Sequence, residues 1–394
     1  MKAVKISEKV YWVGAIDWNL SDFHGYSTQR GSTYNAYLIL SDKPTLIDTV
    51  KAPFYNEMME RISDIIDPKK IEILISNHSE MDHSGGIPQF IKDANPKEVY
   101  ASPMGEKALK NHFGEMDIKT VKTGDSIDIG GDKLSFIESK MLHWPDSMIS
   151  HLEKENILFT NDIFGMHLAS DKRFDDETAA WMYEAEKYYA NIVLPYSDIV
   201  LRFLDAFAKT NITPKIIAPD HGPIWRDNPM KIVSLYKKWA EQKPTNKAVI
   251  IYDTMWKSTE SLALQIADGL ASGGTTVRVM NATRYNRSDI AIEILDAGAI
   301  VLGSPVINNG LYPAMGDILT YLKGLKKKNL IGSTFGSYGW GKNGTADLER
   351  FFDELKIERV ADGLYCNYVP TKEDLKNAFD MGVNIAKKLK EKTQ

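Results

Sequence analysis

The most informative motif in this chain is His78-Ser79-Glu80-Met81-Asp82-His83. It directly follows the apolar run from Ile71 to Ser76, a pattern typical of a buried β-strand. Four of its six side chains carry metal-binding atoms, and they lie at a strand end, where loops usually hold binding groups. Imidazole nitrogen together with carboxylate oxygen suits iron, manganese or zinc. The motif therefore predicts a transition-metal site at the end of a strand.

Further candidate ligands lie far along the chain. His143, Asp162 and His221 each come just after an apolar run that is predicted to form a strand. Seven candidate ligands are therefore expected to meet at one end of the first domain. A lone histidine is more often a surface or hydrogen-bonded structural residue, so the joint pattern carries the interpretation.

The remaining histidines and two neighbouring aspartates are interpreted differently. His112, His151 and His167 are not part of such a pattern and are interpreted as ordinary structural or surface residues. Asp146 and Asp220 are interpreted as turn residues or as groups that orient the imidazoles.

The bulk composition limits the possible classes of protein. A chain of 394 residues with 43% hydrophobic and 26% charged residues is expected to form two compact domains. Its net charge of −5 makes nucleic acid an unexpected partner. Cys366 is the single cysteine, which excludes an intramolecular disulfide, a thiolate zinc site and an iron–sulfur cluster. The sequence shows neither a secretion signal nor an apolar run long enough to cross a bilayer, so a cytoplasmic location is expected.

Short strands and intervening helices are predicted in the first part of the chain, which favours a layered α/β domain. The predicted strands are Tyr34 to Leu40, Thr45 to Asp48, Ile71 to Ser76, Glu98 to Ala101, Leu134 to Glu138, Asn156 to Thr160 and Pro214 to Ala218. The helical stretches are Ala52 to Ile65, Met104 to His112 and much of Asp175 to Ala208.

A second domain is predicted to begin after the polar stretch Lys243 to Asn246, so the domains are taken as residues 1–245 and 246–394. From Ala248 onward, strands and helices alternate regularly to a final helix starting at Lys372. This rhythm over about 150 residues favours a doubly wound parallel sheet.

Loops at the predicted strand ends of the second domain suit a flat phosphate-bearing ligand. The first loop places hydroxyl groups at a helix start, where backbone N–H groups favour an anion, although helix capping alone would also explain them. Two glycine-rich loops with exposed aromatic side chains follow the third and fourth strands. The candidate cofactor-binding residues are Thr254, Met255, Trp256, Ser258, Thr259, Pro305, Val306, Ile307, Asn308, Asn309, Ser337, Tyr338, Gly339, Trp340 and Gly341.

The histidine and carboxylate pattern resembles the metallo-β-lactamase superfamily, whose signature is His-x-His-x-Asp-His followed by a distant His, Asp and His. Glu80 stands where that signature has its second histidine, and this departure marks the flavodiiron proteins within the superfamily. The resemblance also covers Tyr11 to Gly14, Thr33 to Leu38 and Leu142 to Met148. It implies that one iron is bound by His78, Glu80 and His143 and the other by Asp82, His83 and His221, with Asp162 bridging both. An added carboxylate favours iron over zinc.

The second domain resembles the flavodoxin family, which implies FMN as its cofactor. Its first loop carries Met255-Trp256-Lys257 before Ser258, where flavodoxins usually have a Thr-Gly-x-Thr form. The resemblance implies phosphate contacts from Thr254, Ser258 and Thr259. Direct binding of NADH is not predicted, because the sequence lacks a Gly-x-Gly-x-x-Gly fingerprint.

Together, these resemblances imply a flavodiiron oxidoreductase with a metallo-β-lactamase-like αββα sandwich followed by a flavodoxin-like domain. It is expected to reduce dioxygen to water or nitric oxide to nitrous oxide, as a head-to-tail homodimer, with a separate rubredoxin or another reductase as donor. The family resemblance places His24 and Tyr196 near the gas pocket, where they are candidate hydrogen-bond or proton donors. The alternatives are a dinuclear zinc hydrolase with a fused flavodoxin-like module and an electron carrier that uses FMN alone.

Overall fold

The computed structural model describes residues 1–178 and 180–394, and it divides the chain into two compact units. The first unit contains residues 1–24, 28–189 and 198–237, and the second contains residues 25–27, 190–197 and 238–394. The domain boundary predicted after residue 245 stays a prediction. Within the described ranges, none of the helices combines the length and apolar character needed to cross a bilayer.

The strands of the chain are mostly short. They are β1 (Val4–Lys5), β2 (Val10–Trp12), β3 (Ala15–Asp17), β4 (Asp22–Phe23), β5 (Tyr26–Ser27), β6 (Ser32–Tyr34), β7 (Tyr37–Ile39), β8 (Thr45–Ile47), β9 (Ile73–Ser76), β10 (Glu98–Ala101), β11 (Lys119–Thr120), β12 (Ser126–Asp128), β13 (Lys133–Glu138), β14 (Met148–Leu152), β15 (Ile157–Phe159), β16 (Ile216–Ala218), β17 (Thr245–Tyr252), β18 (Thr276–Asn281), β19 (Ala297–Ile307), β20 (Gly310–Leu311), β21 (Ile331–Tyr338), β22 (Glu358–Arg359) and β23 (Leu364–Asn367).

The helices vary more in length. They are α1 (Tyr55–Ser63), α2 (Met81–Ser84), α3 (Ile87–Ala94), α4 (Pro103–Phe113), α5 (Trp181–Tyr188), α6 (Ser197–Ala208), α7 (Pro229–Ala240), α8 (Ser258–Ser272), α9 (Arg287–Ile294), α10 (Pro313–Leu325), α11 (Asn343–Glu354) and α12 (Lys372–Thr393).

The first unit is a sandwich of two sheets. One sheet has the strand order β1-β2-β7-β8-β9-β10-β11 and the other has the order β12-β13-β14-β15-β16. Tyr37 and Ile75 of the first sheet share a buried core with Phe136 and Phe159 of the second. The opposite face of the first sheet packs against α1, α3 and α4 through apolar side chains such as Phe90. Strand β9 is buried on both faces, which explains its unbroken apolar sequence.

One predicted strand is interrupted where it contacts the 219–222 loop. The run from Tyr34 to Leu40 was predicted as a single strand, but β6 ends at Tyr34 and β7 starts at Tyr37. Between them, Asn35 turns its amide toward the 219–222 loop, where Nδ2 donates to Pro219 O at 2.7 Å and to Gly222 O at 3.0 Å. These hydrogen bonds replace the regular ladder at that point. Strand β14 was not predicted, because Ser150 and His151 interrupt its apolar pattern.

The second unit is built on a parallel sheet with the order β18-β17-β19-β21-β22, and β23 pairs in parallel with β21. This is the flavodoxin-like arrangement, with α8 and α12 contributing to one shared core beside β17 and β19. Strands β22 and β23 were not predicted, because both are short, β22 is exposed and β23 is only partly buried. Strand β19 turns back into β20 through Asn308 and Asn309, both with positive φ, which matches a type I′ hairpin turn.

A buried lysine in the second unit gives a prediction about stability. Lys327 is 8% exposed, and its Nζ has no hydrogen-bond partner among the described residues. Burial lowers the pKa of Lys327 to about 8, although the charge of Asp296 opposes this shift. Because a free lysine titrates near 10.4, the unfolded chain binds more protons between these values, and stability should rise as pH rises from about 8 to about 10.4.

Lys327→Met should therefore raise the free energy of unfolding at pH 7 by ~1–3 kcal/mol, the usual range for an unsatisfied buried polar group. The variant should also lose the rise in stability above pH 8. Urea unfolding at pH 7 and pH 9.5 measures both effects, with the exposed neighbour Lys326→Met as the control. Equal stability of the variant and the parent at pH 7 would show that the Lys327 amine is solvated.

Candidate metal centre and flavin site

The predicted metal residues come together at one end of the first unit. Strand β9 leads into the 78–83 loop, and the one-turn helix α2 then presents Asp82 and His83. The candidate ligand atoms form two groups, and the atoms within each group lie within 4.8 Å of one another. The first group is His78, Glu80, His143 and Asp162, and the second is Asp82, His83 and His221.

Asp162 connects the two groups, because its two carboxylate oxygens face in different directions. Its Oδ2 lies 3.2 Å from His78 Nε2 and 3.1 Å from His143 Nε2. Its Oδ1 lies 3.2 Å from His83 Nε2 and 3.3 Å from His221 Nε2. A carboxylate in this position can bind one metal ion through each oxygen, as in two-metal sites.

The carboxylates of Glu80 and Asp82 occupy equivalent places in the two groups. Glu80 Oε2 lies 3.3 Å from the Nε2 atoms of both His78 and His143. Asp82 lies 3.3 Å from His83 Nε2 through Oδ1 and 3.2 Å from His221 Nε2 through Oδ2. Ligand atoms that each lie about 2.0–2.2 Å from one metal ion are separated by similar distances. The spacing therefore fits coordination better than direct hydrogen bonding.

The buried polar atoms also fit a metal. Both carboxylate oxygens of Asp82, His83 Nε2 and Asp162 Oδ1 are buried and lack a hydrogen-bond partner among the described residues. Such atoms are costly to bury unless a cation or another partner satisfies them. The donor set contains nitrogen and oxygen atoms only, which suits iron of intermediate hardness. The residues present therefore fit a dinuclear metal centre.

The pKa values of the histidines also indicate a site that attracts positive charge. Burial opposes protonation of His83, but the nearby carboxylates of Asp82 and Asp162 raise its pKa to about 10. Burial also opposes protonation of His143, whose pKa is raised to about 9 by Asp162 and Glu80. The carboxylates thus draw positive charge into the site, and metal ions supply that charge in place of protons.

Groups behind the ligands orient the imidazole rings. His78 Nδ1 lies 3.1 Å from Asp146 Oδ2, which also accepts a hydrogen bond of 2.6 Å from Ser79 N. His221 Nδ1 donates to Thr33 O at 2.5 Å. With Nδ1 engaged in this way, Nε2 is the atom that each ring presents to a metal.

The two aspartates interpreted as orienting groups both lie against imidazole rings. Asp146 contacts His78, as the sequence predicted, and Asp220 Oδ2 lies 3.5 Å from His83 Nδ1. Asp220 is fully buried. Its position behind His83 suits a group that holds the ring in place.

His24 and Tyr196 differ in their relation to the metal residues. His24 Nε2 lies 3.4 Å from Glu80 Oε1, and the His24 side chain is 74% exposed, so it stands at the solvent side of the site. Tyr196 lies in the 3-10 turn Leu194–Tyr196, within a segment of the second unit. Its expected role near the gas pocket stays a prediction.

His167, which was interpreted from the sequence as a structural or surface residue, lies next to the proposed ligand His221. The His167 ring is buried 4.6 Å from the ring of His221, and its Nδ1 lies 2.8 Å from Ser32 Oγ. No neighbouring carboxylate in the sequence marks this position. The other two histidines have ordinary settings: His151 contacts Asn156, and His112 is exposed beside the ring of Trp144.

The predicted cofactor loops of the second unit surround a cavity of about 590 Å³, a size that suits a flavin. Two of the predicted residues, Thr254 and Thr259, are not part of its lining. The residues that line it are Met255, Trp256, Ser258, Pro305, Val306, Ile307, Asn308, Asn309, Ser337, Tyr338, Gly339, Trp340, Gly341 and Tyr368.

Tyr368 was missed because it follows β23, a strand that was not predicted. Its backbone N–H donates to Tyr338 O at 2.7 Å, which brings its ring to the cavity mouth. Trp256 and Trp340 also stand at this mouth, and they are 90% and 93% exposed. Large aromatic side chains at the mouth of a cavity suit the flat ring of a flavin.

The start of helix α8 supplies the candidate phosphate site. Thr254 Oγ1 is buried and lacks a hydrogen-bond partner among the described residues, so its hydroxyl is suited to donate to a phosphate oxygen. Thr259 is fully buried, and its Oγ1 lies 2.9 Å from Ser337 Oγ, which ties the phosphate loop to the end of β21. The residues present therefore fit FMN.

Comparisons with known proteins agree with this geometry. Residues 33–222 match the family described as ODP family beta lactamase, and residues 250–382 match the flavodoxin family. A protein of Moorella thermoacetica named nitric oxide reductase is 44% identical over 393 residues, which cover 98% of each chain.

Two solved structures are similar to this chain over almost their full length. The rubredoxin oxygen:oxidoreductase from the anaerobe Desulfovibrio gigas is 41% identical, with a TM-score of 0.97 and 99% of each chain covered. The flavodiiron protein from Giardia intestinalis is 30% identical, with a TM-score of 0.95, covering 100% of this chain and 98% of that one. Identity at this level over both units, together with the geometry of the two sites, shows that this chain belongs to the flavodiiron protein family.

Proposed function

We propose that this protein reduces dioxygen to water, nitric oxide to nitrous oxide, or both, with electrons that reach a diiron centre through FMN. The observation that carries this proposal is the Asp162 carboxylate, which faces a group of ligand atoms with each of its oxygens. The names of the relatives, nitric oxide reductase and rubredoxin oxygen:oxidoreductase, support both gases as substrates.

The family brings two cofactors, FMN and a non-haem diiron pair, and together they supply electron transfer and binding of a diatomic gas. Reduction of one dioxygen to two waters takes four electrons and four protons. Coupling of two nitric oxide molecules to nitrous oxide and one water takes two of each. A two-electron flavin and a two-electron iron pair meet both requirements.

The side chains of this protein position the metals and handle protons. The proposed terminal ligands are His78, Glu80 and His143 in one group and Asp82, His83 and His221 in the other, with Asp162 as the bridge. His24 is the proposed proton donor at the open side, because its Nε2 lies 3.4 Å from Glu80 Oε1 and the ring reaches solvent. The rings of Trp144 and His78 pack edge to face with their centroids 5.3 Å apart, which helps to hold the His78 ring in place.

The electron donor, the cellular location and the assembly are also proposed. A separate rubredoxin or another reductase is the proposed electron donor, consistent with the name of the Desulfovibrio gigas relative. The proposed location is the cytoplasm, and the proposed assembly is a head-to-tail homodimer. Tyr196 is proposed to lie near the gas pocket in that assembly.

Anaerobic turnover with each gas tests the function. The purified holoprotein is mixed with chemically reduced rubredoxin, and dioxygen or nitric oxide is then added in separate runs. With dioxygen, we expect water without peroxide and the use of four electrons per dioxygen. With nitric oxide, we expect nitrous oxide and the use of two electrons per two nitric oxide molecules. Rapid oxidation of the flavin with no consumption of either gas beyond flavin stoichiometry would instead indicate an electron carrier.

Glu80 separates the proposed oxidoreductase from a zinc hydrolase, the alternative that the comparisons do not favour. Glu80→His restores the histidine of the hydrolase signature, so we expect bound metal to shift from iron toward zinc and gas reduction to fall by at least about 100-fold, because the redox metal is lost. FMN content should not change. Metal analysis after expression with ample iron measures the shift.

Glu153→His is the matched control, because Glu153 is an exposed glutamate away from the ligand groups. It should keep the metal content and activity of the parent. Full iron content and activity in Glu80→His would show that Glu80 is not a ligand. Two zinc ions with hydrolase activity in the parent protein would favour the hydrolase.

A further inference from the structure

Asp253 is a buried carboxylate at the edge of the candidate phosphate site. It directly follows β17, is 3% exposed, and is not part of the cavity lining. A negative charge beside an anion-binding loop is unfavourable by Coulomb's law. A carboxylate at this position is therefore expected to make a favourable interaction that offsets the repulsion.

Both oxygens of this carboxylate accept hydrogen bonds from different loops. Oδ1 accepts from Thr254 N at 2.7 Å and from Asn281 Nδ2 at 3.4 Å. Oδ2 accepts from Thr283 Oγ1. Asp253 therefore ties the first residue of the phosphate loop to the turn that follows β18.

The phosphate loop needs such an anchor, because its sequence does not favour its own conformation. It has no glycine between Asp253 and Thr259, and Lys257 adopts a positive φ of 67°. This conformation costs energy in a residue that has a Cβ atom. The Thr254 hydroxyl is also held in a buried position without a hydrogen-bond partner among the described residues. Surrounding contacts must hold both features in place.

We propose that Asp253 is a positioning residue for the phosphate of FMN. By fixing the Thr254 N–H and linking it to Thr283, its carboxylate holds the loop open so that the Thr254 hydroxyl and the start of α8 meet the phosphate. This inference rests on the assignment of FMN to the cavity. Positioning and simple charge repulsion predict opposite results when the carboxylate is removed, so the two can be separated.

The test measures dissociation of FMN and of riboflavin, which lacks the phosphate, from the purified protein by flavin fluorescence. Asp253→Ala should weaken FMN binding at least tenfold and leave riboflavin binding unchanged. Asp253→Asn should bind FMN within threefold of the parent, because the amide oxygen can accept from Thr254 N and the amide nitrogen can donate to Thr283. Thr283→Val should weaken FMN binding severalfold, whereas Thr283→Ser keeps the hydroxyl and should not.

Several outcomes would overturn the proposal. Tighter FMN binding in both Asp253 variants would mean that charge repulsion dominates, and unchanged FMN binding in Asp253→Ala would mean that the carboxylate does not position the loop. Equal weakening of FMN and riboflavin in Asp253→Ala would mean that the effect is not directed at the phosphate. If Asp253→Ala does not fold, the comparison of Thr283→Val with Thr283→Ser decides. Equal FMN affinity of these two variants would contradict the proposed hydrogen bond between Asp253 and Thr283 as an anchor of the loop. Equal affinity of the parent protein for FMN and riboflavin would instead refute the phosphate site itself.

Discussion

Asp162→Ala should release both metals and lower the rate of gas reduction by at least about 100-fold, exceeding the usual loss for a group that only orients a ligand. The reason is the position of this carboxylate, whose two oxygens lie 3.1–3.3 Å from four imidazole nitrogens. Without it, those histidines repel one another when protonated and lack a shared partner. Metal analysis and gas consumption with reduced donor measure the two effects, and FMN content should stay at the level of the parent.

Two control variants give this result its meaning. Asp146→Ala leaves every proposed ligand in place and removes the carboxylate that contacts His78 Nδ1 and Ser79 N, so we expect an intermediate loss of metal affinity of roughly 10–100-fold. Asp171→Ala changes an exposed carboxylate and should have no effect. If Asp162→Ala retained two irons per chain, the bridging assignment would be wrong.

The metal groups were predictable because several independent signals agree. His78 to His83, His143, Asp162 and His221 each follow a strand, and strands that meet in one sandwich bring their ends together. The family and the two-domain fold inferred from these motifs are confirmed by the comparisons, as are FMN and iron as cofactors. Local patterns sufficed here because the chemistry is concentrated in short motifs.

Features that depend on contacts between distant segments were not predictable. His167 reaches the ring of His221 through the fold of the 165–169 loop, and no local pattern indicates this. Tyr368 reaches the flavin cavity by following a short, unpredicted strand. The contact between the Thr259 and Ser337 hydroxyls joins residues that are far apart in the sequence, and the predicted phosphate contact of Thr259 stays a prediction. In each case, packing against a remote residue decides where the side chain lies.

The mouth of the flavin cavity supports the proposed homodimer. Trp256 and Trp340 are almost fully exposed there, and Tyr368 and Val369 are 59% and 73% exposed. A group of exposed large apolar side chains on a protein surface usually marks an interaction surface. A second copy of the chain is the proposed occupant, since the family resemblance implies that each flavin faces the diiron site of its partner.

Mixed dimers should reveal electron transfer between subunits. An Asp162→Ala chain keeps flavin but lacks a working metal pair, whereas a Thr254→Asp chain keeps metal but should lose FMN, because a carboxylate at the buried Thr254 position repels the phosphate. Each homodimer should therefore be inactive. In a mixed dimer, the intact FMN and the intact metal pair lie on different subunits, because each chain lacks one of the two cofactors. Gas reduction by the mixed dimer therefore requires electrons to pass from one subunit to the other.

The expected result is activity in the mixed dimer close to half that of the parent dimer, since one of its two symmetric pairs is complete. Two different affinity tags allow isolation of the mixed species, and its iron and flavin contents should each equal one half of the parent values. Activity at background in mixed dimers with those contents would place electron transfer within a single chain. A protein that stays monomeric in solution while reducing gas at the full rate would refute the dimer as well, because a single chain would then hold the whole electron path.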